Sequence, residues 1–192
     1  MIAIIDYKAG NIHSVQNAIS RLGYQSVVTD DISVIHTADK VILPGVGEAQ
    51  SAMDNLRAKG LDKTIIGLRK PFLGICLGLQ LLCQCSEEGD TDCLGIFDSK
   101  VRLFPSTEIV PHMGWNNFEN IEGVLFDNVK PQDNVYYVHS YYAETCSDTV
   151  AVCNYIESFS AALQKGNFYA TQFHPEKSSS IGEQILKNFL EL

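Results

Sequence analysis

Apolar residues in this chain fall into short runs separated by segments of helical period. Met1–Tyr7 carries Ile2, Ile4 and Ile5. Gln25–Thr29 is a short second strand, and Lys40–Leu43 and Pro71–Leu73 are further short apolar runs that read as buried strands. Between the first two, Ile12, Val15, Ala18, Ile19 and Leu22 share one helix face, which Asn11 can cap and Gly23 can end. Helices also fit Ala49–Lys59 and Leu61–Arg69. Strands separated by helices in this rhythm predict parallel pairing through crossovers.

The second half changes character. Strand-like pieces recur at Ile96–Phe104, Asn134–His139, Val150–Asn154, Ser160–Gln164 and Phe168–Phe173, several close enough to form hairpins. Ser180-Ile181-Gly182-Glu183 has the capping-box pattern and opens a last helix with Ile181, Ile185 and Phe189 on one face. The pattern predicts an α/β fold, with one domain over residues 1–192 and a largely parallel mixed sheet flanked by helices. At 192 residues and 45% hydrophobic, the chain can bury one sizeable core.

Charge and cysteine content narrow the class. The net charge of −9 comes with no basic cluster, which argues against nucleic acid or an anionic membrane as partner. No apolar run has the length of a membrane span, and the N-terminal stretch lacks the basic and apolar regions of a secretory leader. A cytoplasmic setting is expected. The six cysteines, Cys76, Cys83, Cys85, Cys93, Cys146 and Cys153, contain no CxxC pair, so free thiols are expected. Cys83 and Cys85 read as small packing residues. No metal site and no cofactor are expected.

The chemistry centres on Gly74-Ile75-Cys76-Leu77-Gly78, which follows the apolar run ending at Leu73. Glycines on both sides of a cysteine suit a sharp strand-to-helix elbow, in which the apex side chain is exposed beside the amide of the next residue, Leu77. A thiol needs a base. Of the five histidines, His174 lies in Phe173-His174-Pro175-Glu176 at the end of an apolar strand. In extended geometry His174 and Glu176 share a face, so the carboxylate can orient the ring while its other nitrogen takes the thiol proton. A surface turn with an ordinary ion pair is the alternative.

Pro44-Gly45-Val46-Gly47 lacks the third glycine of a dinucleotide fingerprint, since Gln50 stands there. It is either a plain turn or a second oxyanion donor, with Gly45 and Gly47 freeing the Val46 peptide to reorient. One such donor lowers a barrier by roughly 3–4 kcal/mol. Trp115, in Pro111-His112-Met113-Gly114-Trp115-Asn116, reads as a loop residue that either packs in the core or anchors an interface. Half of Tyr136–Tyr142 must be core, and the other face can line a pocket.

Together, GICLGLQ, the Pro44–Gly47 loop, PHMGWN, YYVHSYY and FHPEKS resemble the class I (triad) glutamine amidotransferase family, over essentially the whole chain. The resemblance implies an enzyme in which Cys76 attacks the side-chain amide of L-glutamine, with His174 as general base and Glu176 as its orienting carboxylate. It implies an oxyanion hole from Val46, Gly47 and Leu77. Substrate contacts would come from Gly45, Gln80, Glu88, Ser140 and Tyr141. PHMGWN, YYVHSYY and FHPEKS point to members that form a heterodimer with a (β/α)8-barrel cyclase, to which ammonia passes in forming imidazole glycerol phosphate for histidine biosynthesis. Asn11, Trp115 and Lys177 would lie at that interface. An amidotransferase serving another synthase, and a non-catalytic binding module on the same fold, are the alternatives. Lys8 departs from the family pattern, which has glycine there.

Overall fold

The computed structural model describes residues 1–8 and 11–192. In the first half β1 (Ile2–Ile5), α1 (Ile12–Arg21), β2 (Ser26–Thr29), α2 (Ile32–Thr37), β3 (Lys40–Gly45), α3 (Ala49–Ala58), α4 (Leu61–Gly67), β4 (Phe72–Cys76) and α5 (Leu77–Leu82) follow one another. The second half holds β5 (Cys85–Ser86), β6 (Thr91–Asp92), β7 (Lys100–Leu103), β8 (His112–Asn116), β9 (Asn120–Ile121), β10 (Val135–His139), β11 (Tyr141–Ala143), β12 (Thr149–Asn154), β13 (Ser158–Lys165), β14 (Phe168–Thr171) and α6 (Ser179–Leu190).

Among the described residues the main sheet has the order β2-β1-β3-β4-β14-β13-β12-β9. Pairing is parallel from β2 to β14 and antiparallel beyond it, so the expected mixed sheet is present. Two smaller sheets, β10-β8 and β11-β7-β5-β6, lie alongside. Both faces of the parallel strands are covered. Ile2, Ile4, Ile42 and Leu73 pack in one core with Val15 and Ile19 of α1 and Ile185 and Phe189 of α6. Ala3, Ile5, Leu43 and Phe72 pack in the other with Met53, Leu56, Ile65 and Leu77. Strands buried on both faces are why these runs are continuously apolar rather than alternating.

Several local expectations change. Asn11 does not cap α1 with its side chain; its Oδ1 accepts from Ser14 Oγ at 2.8 Å instead. Gly23 does end that helix, at φ +85 with Tyr24 N–H donating to the Ile19 carbonyl. Helix α2 had no expectation; Asp31 starts it by accepting from Ser33 N–H at 2.8 Å. The stretch Ile96–Phe104 is strand only over Lys100–Leu103. The last helix begins at Ser179 rather than by a capping box, so Ser180 lies inside it instead of capping it, and Glu183 accepts from Arg21 Nε at 3.2 Å. The Trp115 segment is a strand, β8, paired in register with β10. Lys8 sits at φ +64, in the left-handed region that favours glycine, which accounts for the glycine usual there.

Glycine is obligatory where α5 leaves the sheet. A Cβ on Gly78 would collide with the Leu43 carbonyl of β3, whereas one on Gly67 would meet nothing within 4 Å. Gly78→Ala should therefore destabilise by about 3 kcal/mol or more, lowering the thermal midpoint by roughly 6–12 °C. Gly67→Ala should leave it unchanged or raise stability by up to about 1 kcal/mol. Paired melts of the two variants check this; equal midpoints would refute the close approach.

Candidate active site

Cys76 ends β4 and caps the N-terminus of α5 at φ 55, ψ −107. A non-glycine residue there is strained, and the neighbours hold it. A Cβ on Gly74 would lie 2.7 Å from the Gly78 carbonyl oxygen, so strand and helix meet backbone to backbone. The elbow read from the sequence is formed. A cavity of about 310 Å³ opens over it, lined by Val46, Gly47, Cys76, Leu77, Gln80, Glu88, Pro111, Val138, His139, Ser140 and Tyr141.

His174 follows β14, which pairs in parallel with β4 through Ile75 opposite Thr171. Its side chain and that of Glu176 are buried, and Nδ1 lies 2.9 Å from Glu176 Oε1. A carboxylate only accepts, so Nδ1 carries a hydrogen and Nε2 is the nitrogen left to exchange a proton with the thiol. Nε2 is buried and makes no hydrogen bond of ordinary geometry. Burial acts to depress this imidazole, but the Cys76 sulfur and the Glu176 carboxylate outweigh it and raise His174 well above its ordinary value. Close, imperfectly aligned contact between base and thiol is common before substrate binds.

The remaining expected residues divide. Val46 is 40% exposed and Gly47, at φ +118 with open space around it, can pivot. Gly45 cannot; a Cβ there would lie 2.6 Å from the Tyr7 hydroxyl and 2.8 Å from the Gly78 nitrogen. It is a packing glycine beneath the cavity rather than part of its lining. Glu88 Oε2 accepts from Ala49 N–H at 2.8 Å, and burial together with the nearby Glu48 raises its pKa against that bond. Gln80 uses its amide hydrogens inward, donating to the Tyr141 carbonyl at 2.9 Å and to Gln172 Oε1 at 3.1 Å. Ser140 and Tyr141 line the wall.

On the outer side of β8, Met113 is 66% and Trp115 55% exposed, with the Trp115 ring 5.9 Å from that of Tyr136. Lys177 lies on a short 3-10 turn, Pro175–Lys177, that packs on both α1 and β10. Asn11, just before α1, therefore sits on the same side of the molecule.

Three supports escaped sequence reasoning. Tyr7 Oη donates to the Pro44 carbonyl at 2.7 Å and pins the end of β3; burial, with Cys76 nearby, raises its pKa. Gln172 is fully buried, and its signal was a polar residue inside the apolar run before His174. His112 and His139 form a buried pair, Nδ1 to Nε2 at 3.0 Å. Among the described residues no group of histidines, cysteines and carboxylates could hold a metal ion, and no helix is long and apolar enough to cross a membrane. All six cysteines are free, with burial pushing Cys83 up and Cys93 and Cys153 up to about 12. Cys83 and Cys153 are buried packing thiols, and Cys93 is half-buried.

The class-I glutamine amidotransferase family model matches residues 3–192. The chain belongs to this family. Among its relatives, the protein named imidazole glycerol phosphate synthase subunit HisH of Bacteroides fragilis is 55% identical, with 100% of this chain and 99% of that one covered. The protein of the same name from Vibrio cholerae is 45% identical, with 100% and 98% covered. A solved glutamine amidotransferase shares the fold at TM-score 0.77 and 16% identity, with 100% of this chain and 98% of that chain covered. A glutamine amidotransferase from Thermotoga maritima does so at 0.66 and 16%, with 99% and 82% covered. As a class-I glutamine amidotransferase the chain is an enzyme that takes nitrogen from glutamine.

Both histidines of the buried pair are neutral in this amidotransferase fold. Burial pushes His112 down to about 4, and burial with the neighbouring His112 and His174 pushes His139 down to about 3. An unfolded chain takes up both protons as pH falls through about 6.5, the folded chain only far below that. The pair's contribution to stability is therefore full above about pH 6.5 and is lost toward about pH 4 for His112 and about pH 3 for His139, by about 1.4 kcal/mol per pH unit per histidine. Urea midpoints should fall steeply between about pH 7 and about pH 5, and His112→Gln should remove roughly half of that slope. A flat wild-type profile would count against the neutral pair.

Proposed function

We propose that this chain is the glutaminase subunit of an imidazole glycerol phosphate synthase and hydrolyses L-glutamine through Cys76, His174 and Glu176. The observation that carries the reading is a cysteine at a strained apex beneath an open cavity, backed by a buried histidine–carboxylate pair. The name borne by relatives at 45–55% identity over the whole chain supports the choice of synthase.

In this reading the thiol proton passes to His174 Nε2, and Cys76 Sγ attacks the side-chain amide carbon. The amides of Leu77 and the Val46–Gly47 loop receive the oxyanion; Gly47 supplies the freedom to turn the loop's amide inward. The His174 imidazolium, held by Glu176, gives its proton to the departing nitrogen, so ammonia leaves and a glutamyl thioester remains. Water, deprotonated by His174, then attacks the thioester. Glutamate departs and the thiol is restored. Glu88 faces the substrate ammonium, and Gln80, Ser140 and Tyr141 complete the walls.

The ammonia passes to a (β/α)8-barrel cyclase subunit, which docks on the side bearing Asn11, Trp115 and Lys177. The exposed Trp115 and Met113 on one strand suit an interface anchor. The cyclase forms imidazole glycerol phosphate and an aminoimidazole carboxamide ribotide in histidine biosynthesis.

Ammonia release from glutamine, measured with and without the cyclase subunit, tests this. Cys76→Ala should fall to background while remaining folded. Glu176→Gln should lower kcat by on the order of 10²-fold or more with KM within a few fold. Turnover by folded Cys76→Ala would sink the assignment, and unchanged kcat in Glu176→Gln would remove the carboxylate from it.

A further inference from the structure

Gln172 is completely buried and lies outside the cavity lining, two residues before His174 and next in line after β14. Parallel pairing sets Thr171 opposite Ile75, so Gln172 falls beside Cys76. Its side-chain nitrogen lies 3.7 Å from Cys76 Sγ, within reach of an N–H···S hydrogen bond.

Which end of this amide faces the sulfur is fixed by the network. The Tyr141 carbonyl can only accept, and it does so from His139 Nδ1 at 2.8 Å and from Gln80 Nε2 at 2.9 Å. The second hydrogen on Gln80 Nε2 reaches Gln172 at 3.1 Å, so the atom it meets is Oε1. Gln172 must then present its N–H to Cys76. Rotating either amide by half a turn would set two donors or two acceptors against each other.

We infer that Gln172 is a positioning residue for Cys76, donating to Sγ and stabilising the negative charge that develops on the sulfur when its proton leaves. The inference rests on the reading of Cys76 as nucleophile. A thiol accepts weakly, whereas a hydrogen bond to a charged acceptor is roughly twice as strong as a neutral one, so the contact favours the thiolate. The sulfur also donates to the Val138 carbonyl at 3.9 Å, and that bond needs the thiol proton. Loss of that proton removes the Val138 contact and strengthens the one to Gln172. Gln80 acts one step back, fixing Gln172 through Oε1.

The test is the pH profile of Cys76 alkylation by iodoacetamide in the full chain, read at the Cys76 peptide by mass spectrometry; it needs no glutamine and no partner. In Gln172→Met, close in volume but without a donor, the midpoint should rise by about one pH unit, and alkylation near neutral pH should slow about tenfold. Gln172→Glu keeps an acceptor for Gln80 and should shift the midpoint in the same direction. Unchanged midpoints in a folded variant overturn the proposal. Should neither variant fold, the wild-type chain labelled with 15N in glutamine side chains decides: the Gln172 amide resonances should move as Cys76 titrates and stop doing so in Cys76→Ala, and resonances indifferent to that titration overturn it. Activity in Cys76→Ala with a shifted alkylation midpoint in Gln172→Met would refute the nucleophile while leaving the hydrogen bond standing.

Discussion

The site depends on how closely α5 approaches β3 and β4. A Cβ on Gly78 would strike the Leu43 carbonyl, one on Gly74 would press on Gly78, and one on Gly45 would press on Tyr7 and Leu77. Three glycines on three elements therefore remove side chains where backbone meets backbone. The result is a turn too tight for an ordinary residue, with Cys76 held at φ 55. Strain of this kind costs on the order of 1–3 kcal/mol. The buried faces of β4 and α5, with Leu73, Ile75, Leu77, Leu79 and Leu82 almost wholly inside, over-determine the turn and offset that cost.

A second constraint is polar. The Tyr141 carbonyl accepts from both Gln80 and His139, and its inability to donate sets the orientation of each group around it. On one side it fixes Gln80 and Gln172 beneath Cys76. On the other, His139 must offer Nε2 as acceptor to His112, and His112 Nε2 then faces the Asn116 amide at 3.4 Å. Asn116 ends the strand that carries Trp115. A hydrogen-bonded chain with each member's orientation determined thus runs from the exposed Trp115 strand to the sulfur, and its neutral imidazoles carry no net charge into the core. Satisfied buried networks of this kind rigidify the elements they join.

Much of this was legible because the chemistry is local in sequence. The elbow, the His174–Glu176 pair and the loop at Gly47 each lie within a few consecutive residues, and glycine and proline announce them. The strand–helix alternation was legible for the same reason: strands buried on both faces are unbroken apolar runs. What escaped depends on distant partners. Asn11 had the right residue type for a cap, but Ser14 competes for its oxygen. The Trp115 segment reads as a loop from Pro111 and Gly114, yet its pairing with Val135–His139 makes it a strand. Gly45 and Gly47 look equivalent in sequence; only the presence of Tyr7 and Gly78 against the first separates a packing glycine from a pivot. Gln172 could be noticed as a polar residue in an apolar run, but its partners lie 92 and 96 residues away.

The joining of these local pieces is the work of one strand pair. β4 ends in Cys76, the segment leaving β14 carries Gln172, His174 and Glu176, and the parallel register of the two strands sets Ile75 opposite Thr171. Because side chains alternate between faces, a slip of one residue would turn Gln172 away from Cys76 and send the β14 apolar residues to the wrong core. The register is held at the other end by Phe72 against Phe168, with ring centroids 5.4 Å apart, and by Phe72 N–H on the Asn167 carbonyl at 2.9 Å. Asn167 Nδ2 in turn donates to the carbonyls of Leu68 and Lys70, at 3.3 and 2.8 Å. These contacts lie at the strand ends remote from the cavity. Packing and polar groups remote from the cavity therefore decide whether a thiol and an imidazole, 98 positions apart in the chain by their numbers 76 and 174, meet at one end of the sheet.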